Sequence, residues 1–212
     1  MARRKVSNLT GLAVLGTVVQ RPMHRYEIAS LMRARGKGDD VDIKWSSLYT
    51  VVASLEKHGL LEVAGTDRQG ARPERTIYRI TEAGRAELVE WTRELLTTPV
   101  SEQSGFVAGL SMMVALSPDQ VADALRDRLT ALEQMVRELR AAYEEAEVPR
   151  LFLVETEYAI AMREAEAAWV RTLQADLASG TYPLVEEWRE WHRSGAMPDE
   201  LVDLAERGAE QD

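Results

Sequence analysis

Between residues 60 and 80 the chain changes its pattern once, and that change limits its fold more than any other feature. Leu60-Leu61-Glu62-Val63-Ala64 reads as a strand, Gly65-Thr66-Asp67-Arg68-Gln69-Gly70-Ala71-Arg72-Pro73 as a turn-rich tip, and Glu74 to Ile80 as a second strand with Ile77 and Tyr78 packing. What surrounds this hairpin has a helical period. Leu12, Val14, Leu15, Val18 and Val19 recur at helical spacing between Leu9 and Val19, ahead of Pro22. A second helix is predicted from about His24 to Arg35, with Tyr26, Ile28, Leu31 and Met32 inward. It is followed by the polar loop Gly36-Lys37-Gly38-Asp39-Asp40 and a short extended segment from Val41 to Lys44. A third helix opens at Ser46 or Ser47, either of which is suited to cap it, and stops at Gly59, a natural C′ residue. Its inward residues are Leu48, Val51, Val52 and Leu55, with Leu60 just beyond. A fourth helix starts at Thr81-Glu82-Ala83-Gly84, with Thr81 as cap and Gly84 allowing close packing, and runs to about Leu96. Three helices, a hairpin and another helix, in that order, make a winged helix-turn-helix with a two-stranded wing.

Charge agrees with that reading only when the chain is divided. The net charge is -9, but up to residue 98 there are 16 basic against 12 acidic residues, and beyond it 10 against 23. Only the first part is electrostatically suited to phosphate. Within it, the third helix offers a polar face made of Ser46, Ser47, Tyr49, Thr50, Ser54 and Lys57, of a size to enter a major groove. Arg72 and Arg75, with Arg68, lie on or near the hairpin tip, where they reach phosphates or a minor groove. Arg3, Arg4 and Lys5 form a basic arm, and Trp45 is expected to anchor the third helix by packing.

These residues also carry a family resemblance. Gly11-Leu12-Ala13-Val14-Leu15 followed by Pro22-Met23-His24-Arg25-Tyr26-Glu27-Ile28 resembles the opening of the PadR family of transcriptional regulators. Ser46-Ser47-Leu48-Tyr49 and Leu55-Glu56-Lys57-His58-Gly59-Leu60-Leu61 resemble that family's recognition helix, and Arg72-Pro73 through Ile77-Tyr78-Arg79-Ile80-Thr81-Glu82-Ala83-Gly84 its wing and exit helix. The resemblance spans roughly residues 9–90, implies double-stranded DNA as partner and homodimerisation, and favours a DNA contact from Tyr49; Tyr26 and Arg25 are further candidate contacts. Two positions depart from the pattern: Arg25 stands where the family usually has Gly, and Thr50 where Pro is common. For Arg25 two readings stand open, a phosphate contact or a solvated side chain.

After the hinge Thr97-Thr98-Pro99-Val100-Ser101 the pattern is helical throughout. A helix from about Ser104 to Ala115 carries Phe106, Leu110, Met113 and Val114. Ser117-Pro118 opens a long helix with the stripe Val121, Leu125, Leu129, Leu132, Val136, Leu139 and Tyr143. A second long helix after Pro149 carries Val154, Tyr158, Met162, Ala165, Trp169, Leu173 and Leu177, and ends near Gly180. Both stripes have near-heptad spacing, which predicts packing across a two-fold dimer interface. Phe106, Tyr158, Met162 and Trp169 are candidates for an effector pocket for a small aromatic or apolar ligand, with ordinary core packing as the plainer alternative. Trp188 and Trp191, beside His192, are expected to cover the end of the bundle.

The expectation is therefore a mainly α protein. A winged helix-turn-helix DNA-binding domain spans 1–98, an all-helical C-terminal dimerisation and effector domain 99–194, and an acidic tail 195–212 is partly helical at Asp199–Glu206. Catalysis has no positive support. The loop from Gly65 to Gly70 has the separation of a P-loop's outer glycines, but Ala71-Arg72 follows where Lys-Ser/Thr is required. His24, His58 and His192 are scattered, and Glu155, Glu157, Glu164 and Glu166 fit a solvated helix face. No cofactor is expected. There is no cysteine, no apolar run long enough to span a membrane and no signal-peptide pattern, so a cytoplasmic location is expected. The competing reading is a winged helix used for protein partners without DNA, against which the polar third helix and the wing arginines argue.

Overall fold

A computed structural model describes residues 8–34, 43, 45–67, 75–99, 104–197 and 202. The chain forms two compact units, Met1–Ser101 and Glu102–Asp212.

In the first unit α1 (Leu9–Val18) is capped by Asn8, whose side chain accepts from the Gly11 N–H at 3.3 Å. Val14, Leu15 and Val18 on this helix are fully buried, together with Ile28 and Met32 of α2 (Arg25–Ala34) and Leu48, Val52 and Leu55 of α3 (Leu48–Lys57). The sheet closes the same core with Leu61 of β2 (Leu61–Asp67) and Tyr78 and Ile80 of β3 (Arg75–Ile80). The end of α3 is set by Gly59 at φ 73°. Leu60 N–H returns to Leu55 C=O and Gly59 N–H to Glu56 C=O, each at 2.9 Å, a Schellman closure that turns the chain into β2. At the start of α4 (Glu82–Thr97), Thr81 accepts from Gly84 N–H at 3.0 Å and donates its hydroxyl to Gly59 C=O at 2.6 Å.

Several local expectations are corrected. The wing is backed by a third strand: β1 (Met23–His24) pairs antiparallel with β3, giving the order β1-β3-β2. The second helix accordingly starts at Arg25, where His24 Nδ1 accepts from Glu27 N–H at 3.1 Å and so serves as its cap. Tyr26 points outward and is 65% exposed, because the first turn of α2 presents Ile28 and Ala29 to the core instead. Ser47 lies in the right-handed helical region, and α3 is led in by a single 3-10 turn, Trp45–Ser47, in place of the extended serine cap expected. Of the predicted extended segment Val41–Lys44 only Ile43 falls among the described residues, and it is buried.

In the second unit α5 (Gly105–Ser111) is followed by a separate 3-10 turn at Met113–Ala115, so the helix expected from Ser104 to Ala115 is broken. A full capping box between Ser117 and Gln120, with Pro118 in the first turn, starts α6 (Pro118–Glu145). α7 (Val154–Ser179) returns antiparallel along it and ends at Gly180 in the left-handed region. Arg171 to Glu133 at 2.9 Å and Arg140 to Glu164 link the two along their length. α8 (Val185–Ser194) closes one end: Trp188 is buried and donates its indole N–H to Leu116 C=O at 3.0 Å.

The two predicted stripes have different fates. Val121, Leu125 and Leu132 of α6 pack within the chain against Ala167, Val170, Leu173 and Leu177 of α7, so this stripe is largely hidden without a second molecule. On α7, Val154, Tyr158, Met162 and Trp169 are instead exposed. Each i+4 step turns about 40° around a helix of 3.6 residues per turn, so a run of such steps sweeps sideways. One stripe in the sequence is thus buried at Leu173 and Leu177 and exposed at Val154, Tyr158, Met162 and Trp169. Among the described residues no helix is long and apolar enough to cross a membrane. The tail helix expected at Asp199–Glu206 lies outside the described residues apart from 202.

Candidate nucleic-acid interface

Exposure around α3 follows its helical wheel. Leu48, Val51, Val52 and Leu55 turn to the core, while Tyr49, Thr50, Ala53 and Lys57 turn to solvent, Tyr49 being 47% exposed. Ser46, in the preceding turn, is exposed on the same side, whereas Ser47 and Ser54 lie half-buried at its border. Ser54 also faces its own helix end, with its hydroxyl 3.4 Å and its carbonyl 2.8 Å from His58 Nδ1. Residue chemistry alone passed over Ala53. It lies between Tyr49 and Lys57 at successive i+4 steps and keeps the middle of the face shallow, which lets a groove wall approach the backbone.

Trp45 is half-buried against the core under the Arg33 guanidinium, 4.3 Å above its ring, consistent with an anchor for α3. On the wing, Arg79 is paired across the strands with Glu62 at 2.6 Å, which neutralises its charge. Arg75, at the start of β3, is half-buried, with Nη1 3.4 Å from His24 Nε2. Arg72 and Arg68 lie outside the described residues. Near the start of α2, Arg21 donates to Glu27 and holds that carboxyl below the usual carboxylate range. Tyr26 stands clear of the surface beside the His24 ring, with centroids 6.5 Å apart.

Arg25 is half-buried, and its head group has a partner within the protein. Its guanidinium carbon lies 5.1 Å from the centroid of the Tyr78 ring, Nη2 donates to the Tyr78 hydroxyl, and Nε is buried without a hydrogen-bond partner. Tyr78 supplies what a solvent-facing cation would otherwise seek.

The four effector candidates do not form one site. Phe106 and Trp169 meet edge to face with centroids 6.1 Å apart, and Arg128 covers the Phe106 ring at 3.7 Å while donating to Glu166 at 2.6 Å. Trp169 lines a hollow of about 400 Å³ with Leu110, Met113, Leu173 and Tyr182. Met162 borders a different groove of about 550 Å³, between α6 and α7, with Arg128, Leu132 and Met135. Tyr158 is 67% exposed and lies three turns from Trp169 along α7. An apolar hollow of about 350 Å³ that the sequence did not suggest is lined by Met113, Tyr182, Leu184, Trp188 and Trp191. No group of three or more metal-ligating side chains occurs among the described residues.

Residues 14–90 match the model of the transcriptional regulator PadR-like family. The chain is 24% identical over 132 residues to the negative transcriptional regulator PadR of Bacillus subtilis (strain 168), covering 62% of this chain and 71% of that protein. Among solved structures, Bacillus subtilis PadR in complex with operator DNA superposes with a TM-score of 0.67 at 21% identity, over 80% of this chain and 99% of the other. The complex of the same protein with p-coumaric acid gives 0.67 at 19% identity with the same coverage. The virulence activator AphA of Vibrio cholerae gives 0.54 at 19% identity, over 80% and 98%. The matched segment begins within α1 and ends within α4, so it takes in all but the outer ends of the winged helix-turn-helix described above, and over that segment the chain is similar to the transcriptional regulator PadR-like family.

Proposed function

We propose that this protein is a transcriptional repressor that binds operator DNA as a homodimer and is released by a small aromatic or apolar effector. The observation that carries the DNA reading is the exposed face of α3, where Ser46, Tyr49, Thr50, Ala53 and Lys57 stand clear of the core on one side. Tyr26 and Arg75 add contacts from α2 and the wing, the sequence offers Arg72 as a further contact, and Ser47 and Ser54 border the face. The likeness to a negative regulator and to a fold crystallised on operator DNA favours repression.

Labour divides along the chain: residues 1–98 bind DNA, 99–194 dimerise and respond to the effector, and 195–212 form an acidic tail. The dimer rests on the exposed side of α7. Val154, Tyr158, Met162 and Trp169 are large apolar side chains left exposed along one helix, the kind of surface that a partner covers. A two-fold dimer presents its two α3 helices to successive major grooves about 34 Å apart. The hollow beside Trp169 serves as the effector site, and the likeness to the fold of Bacillus subtilis PadR in complex with p-coumaric acid favours an aromatic ligand. Such a ligand releases DNA only by binding more tightly to the form that cannot hold it.

Fluorescence anisotropy against duplex from upstream of the protein's own coding region tests this, at two salt concentrations with unrelated duplex as competitor. Binding that survives competition and weakens steeply with salt is expected. Failure to bind that duplex or selected genomic fragments overturns the DNA reading in favour of a winged helix with a protein partner.

A further inference from the structure

Arg25 opens α2, and Tyr78 lies in the middle strand of the sheet, 53 positions further along the chain. We propose that Arg25 is a positioning residue that acts on DNA through Tyr78, latching the wing strand to α2, and that it makes no phosphate contact of its own. The proposal rests on the DNA-binding reading above.

Three observations carry it. The first is where the donors go: Nη2 is spent on the Tyr78 hydroxyl, and Nε is withdrawn from solvent with no partner. An arginine that serves phosphate presents its fork of N–H groups outward. Here the guanidinium carbon lies over the Tyr78 ring, 5.1 Å from its centroid, a cation–π contact within the protein. The second is what Arg25 joins. Its helix packs on α3 and on β3, so a contact from its first residue to Tyr78 fixes the wing relative to the helix that carries the groove-facing side chains. The third is how short the strand pairing is on this side among the described residues. β1 has two residues, paired Met23 with Tyr78 and His24 with Ile77, and Arg25 follows directly in the chain. It extends a very short ladder by a side-chain contact to the same tyrosine.

Tyr78 makes the proposal testable because it is only 1% exposed and cannot itself reach a phosphate. Any change in DNA affinity caused by Tyr78→Phe must therefore travel through the protein. Four full-length variants, Arg25→Gln, Arg25→Lys, Tyr78→Phe and the Arg25→Gln/Tyr78→Phe double, are compared with wild type on the selected duplex across a salt series. Thermal melts run alongside. The latch predicts a loss of about tenfold for Arg25→Gln, the scale of one mispositioned contact, with the slope of log affinity against log salt unchanged. Tyr78→Phe weakens binding in the same direction, and the double variant is no weaker than Arg25→Gln, because one interaction cannot be removed twice. Arg25→Lys does not rescue, since an ammonium lacks the planar fork that both stacks and donates.

The reverse pattern overturns the proposal. A lost phosphate contact lowers the salt slope by about one for Arg25→Gln, is restored by Arg25→Lys, and leaves Tyr78→Phe binding as wild type. If Arg25→Gln fails to fold, Tyr78→Phe and Arg25→Lys still separate the two patterns. Should wild type bind no duplex, the DNA reading fails first and amide hydrogen exchange decides the latch. Faster exchange confined to the β3 ladder in Tyr78→Phe supports it, and unchanged exchange there sinks it.

Discussion

Replacing Gly84 by Ala isolates the tightest backbone contact of the DNA-binding unit. A Cβ at this position would stand 2.1 Å from the Leu60 carbonyl oxygen and 2.8 Å from Ile80 Cγ1, and the first of these is backbone that cannot swing aside. Ordinary contact therefore requires the start of α4 and the chain entering β2 to separate by more than an ångström. The same Leu60 carbonyl accepts from Thr81 N–H at 3.1 Å and from the Thr81 hydroxyl at 3.2 Å, so that movement also strains the cap. Overpacking of this kind costs about 1–3 kcal/mol and each weakened hydrogen bond about 1 kcal/mol, while better helix propensity returns at most about 1 kcal/mol. The net loss is roughly 3 kcal/mol, or about 12–24 °C in Tm for a unit of this size. Gly16→Ala in α1 is the matched control. Its new methyl would meet only Leu88 Cδ1, at 4.0 Å, and stabilisation by up to about 1 kcal/mol is expected. Circular-dichroism melts and urea titrations of both variants measure the difference. A Gly84→Ala melt within 2–3 °C of wild type, a small fraction of the shift worked out above, would refute the close-approach argument.

Three further outcomes follow from the site and the bundle. Lys57→Gln should weaken DNA binding on all sequences and lower the salt slope by about one, whereas Tyr49→Ala should weaken binding to the operator more than to unrelated duplex; a salt series on both duplexes distinguishes them. Glu157 is held at a pKa of about 2, below its ordinary 4.5, first by its hydrogen bonds from Arg150 and then by the Tyr143 hydroxyl. A depressed carboxylate adds stability that is fully present above pH 4.5 and is lost as pH falls towards 2. Tm measured from neutral to acid should therefore drop across that window, and Glu157→Gln should flatten this component. Met162→Glu places a charge on the exposed strip of α7 without entering the α6–α7 core, so light scattering should report monomer with a little-changed helical spectrum, and operator affinity should fall with the loss of the second head.

The first unit was legible where its signals are local. Gly59 closes α3 through bonds to residues three and five positions back, and Thr81 caps α4 three residues ahead, so both are written within a few residues of where they act. The third helix could be oriented for the same reason, since Leu48, Val51, Val52 and Leu55 define its inner side and hence the outer one. β1 escaped because two residues carry no periodicity and their partner lies more than fifty positions away. Arg25 escaped similarly. A cation in a sequence is read as facing water, and only the fold brings Tyr78 beneath it.

The misreading of α7 has a different origin and a consequence for function. Apolar residues at near-heptad intervals were counted as one seam, although 3.6 residues per turn carry successive i+4 steps around the helix. Leu173 and Leu177 end facing α6, together with Ala167 and Val170, whereas Val154, Tyr158, Met162 and Trp169 remain exposed. An intramolecular hairpin can cover only one of these. One helix thus serves its own core with Ala167, Val170, Leu173 and Leu177 and leaves Val154, Tyr158, Met162 and Trp169 exposed. Because the strip and the Trp169 hollow share a side chain, a ligand entering that hollow and a second molecule covering the strip would both act on Trp169. On the proposed reading, effector binding and dimer geometry would be coupled through this one indole, the kind of differential interaction that a ligand-driven release of DNA requires.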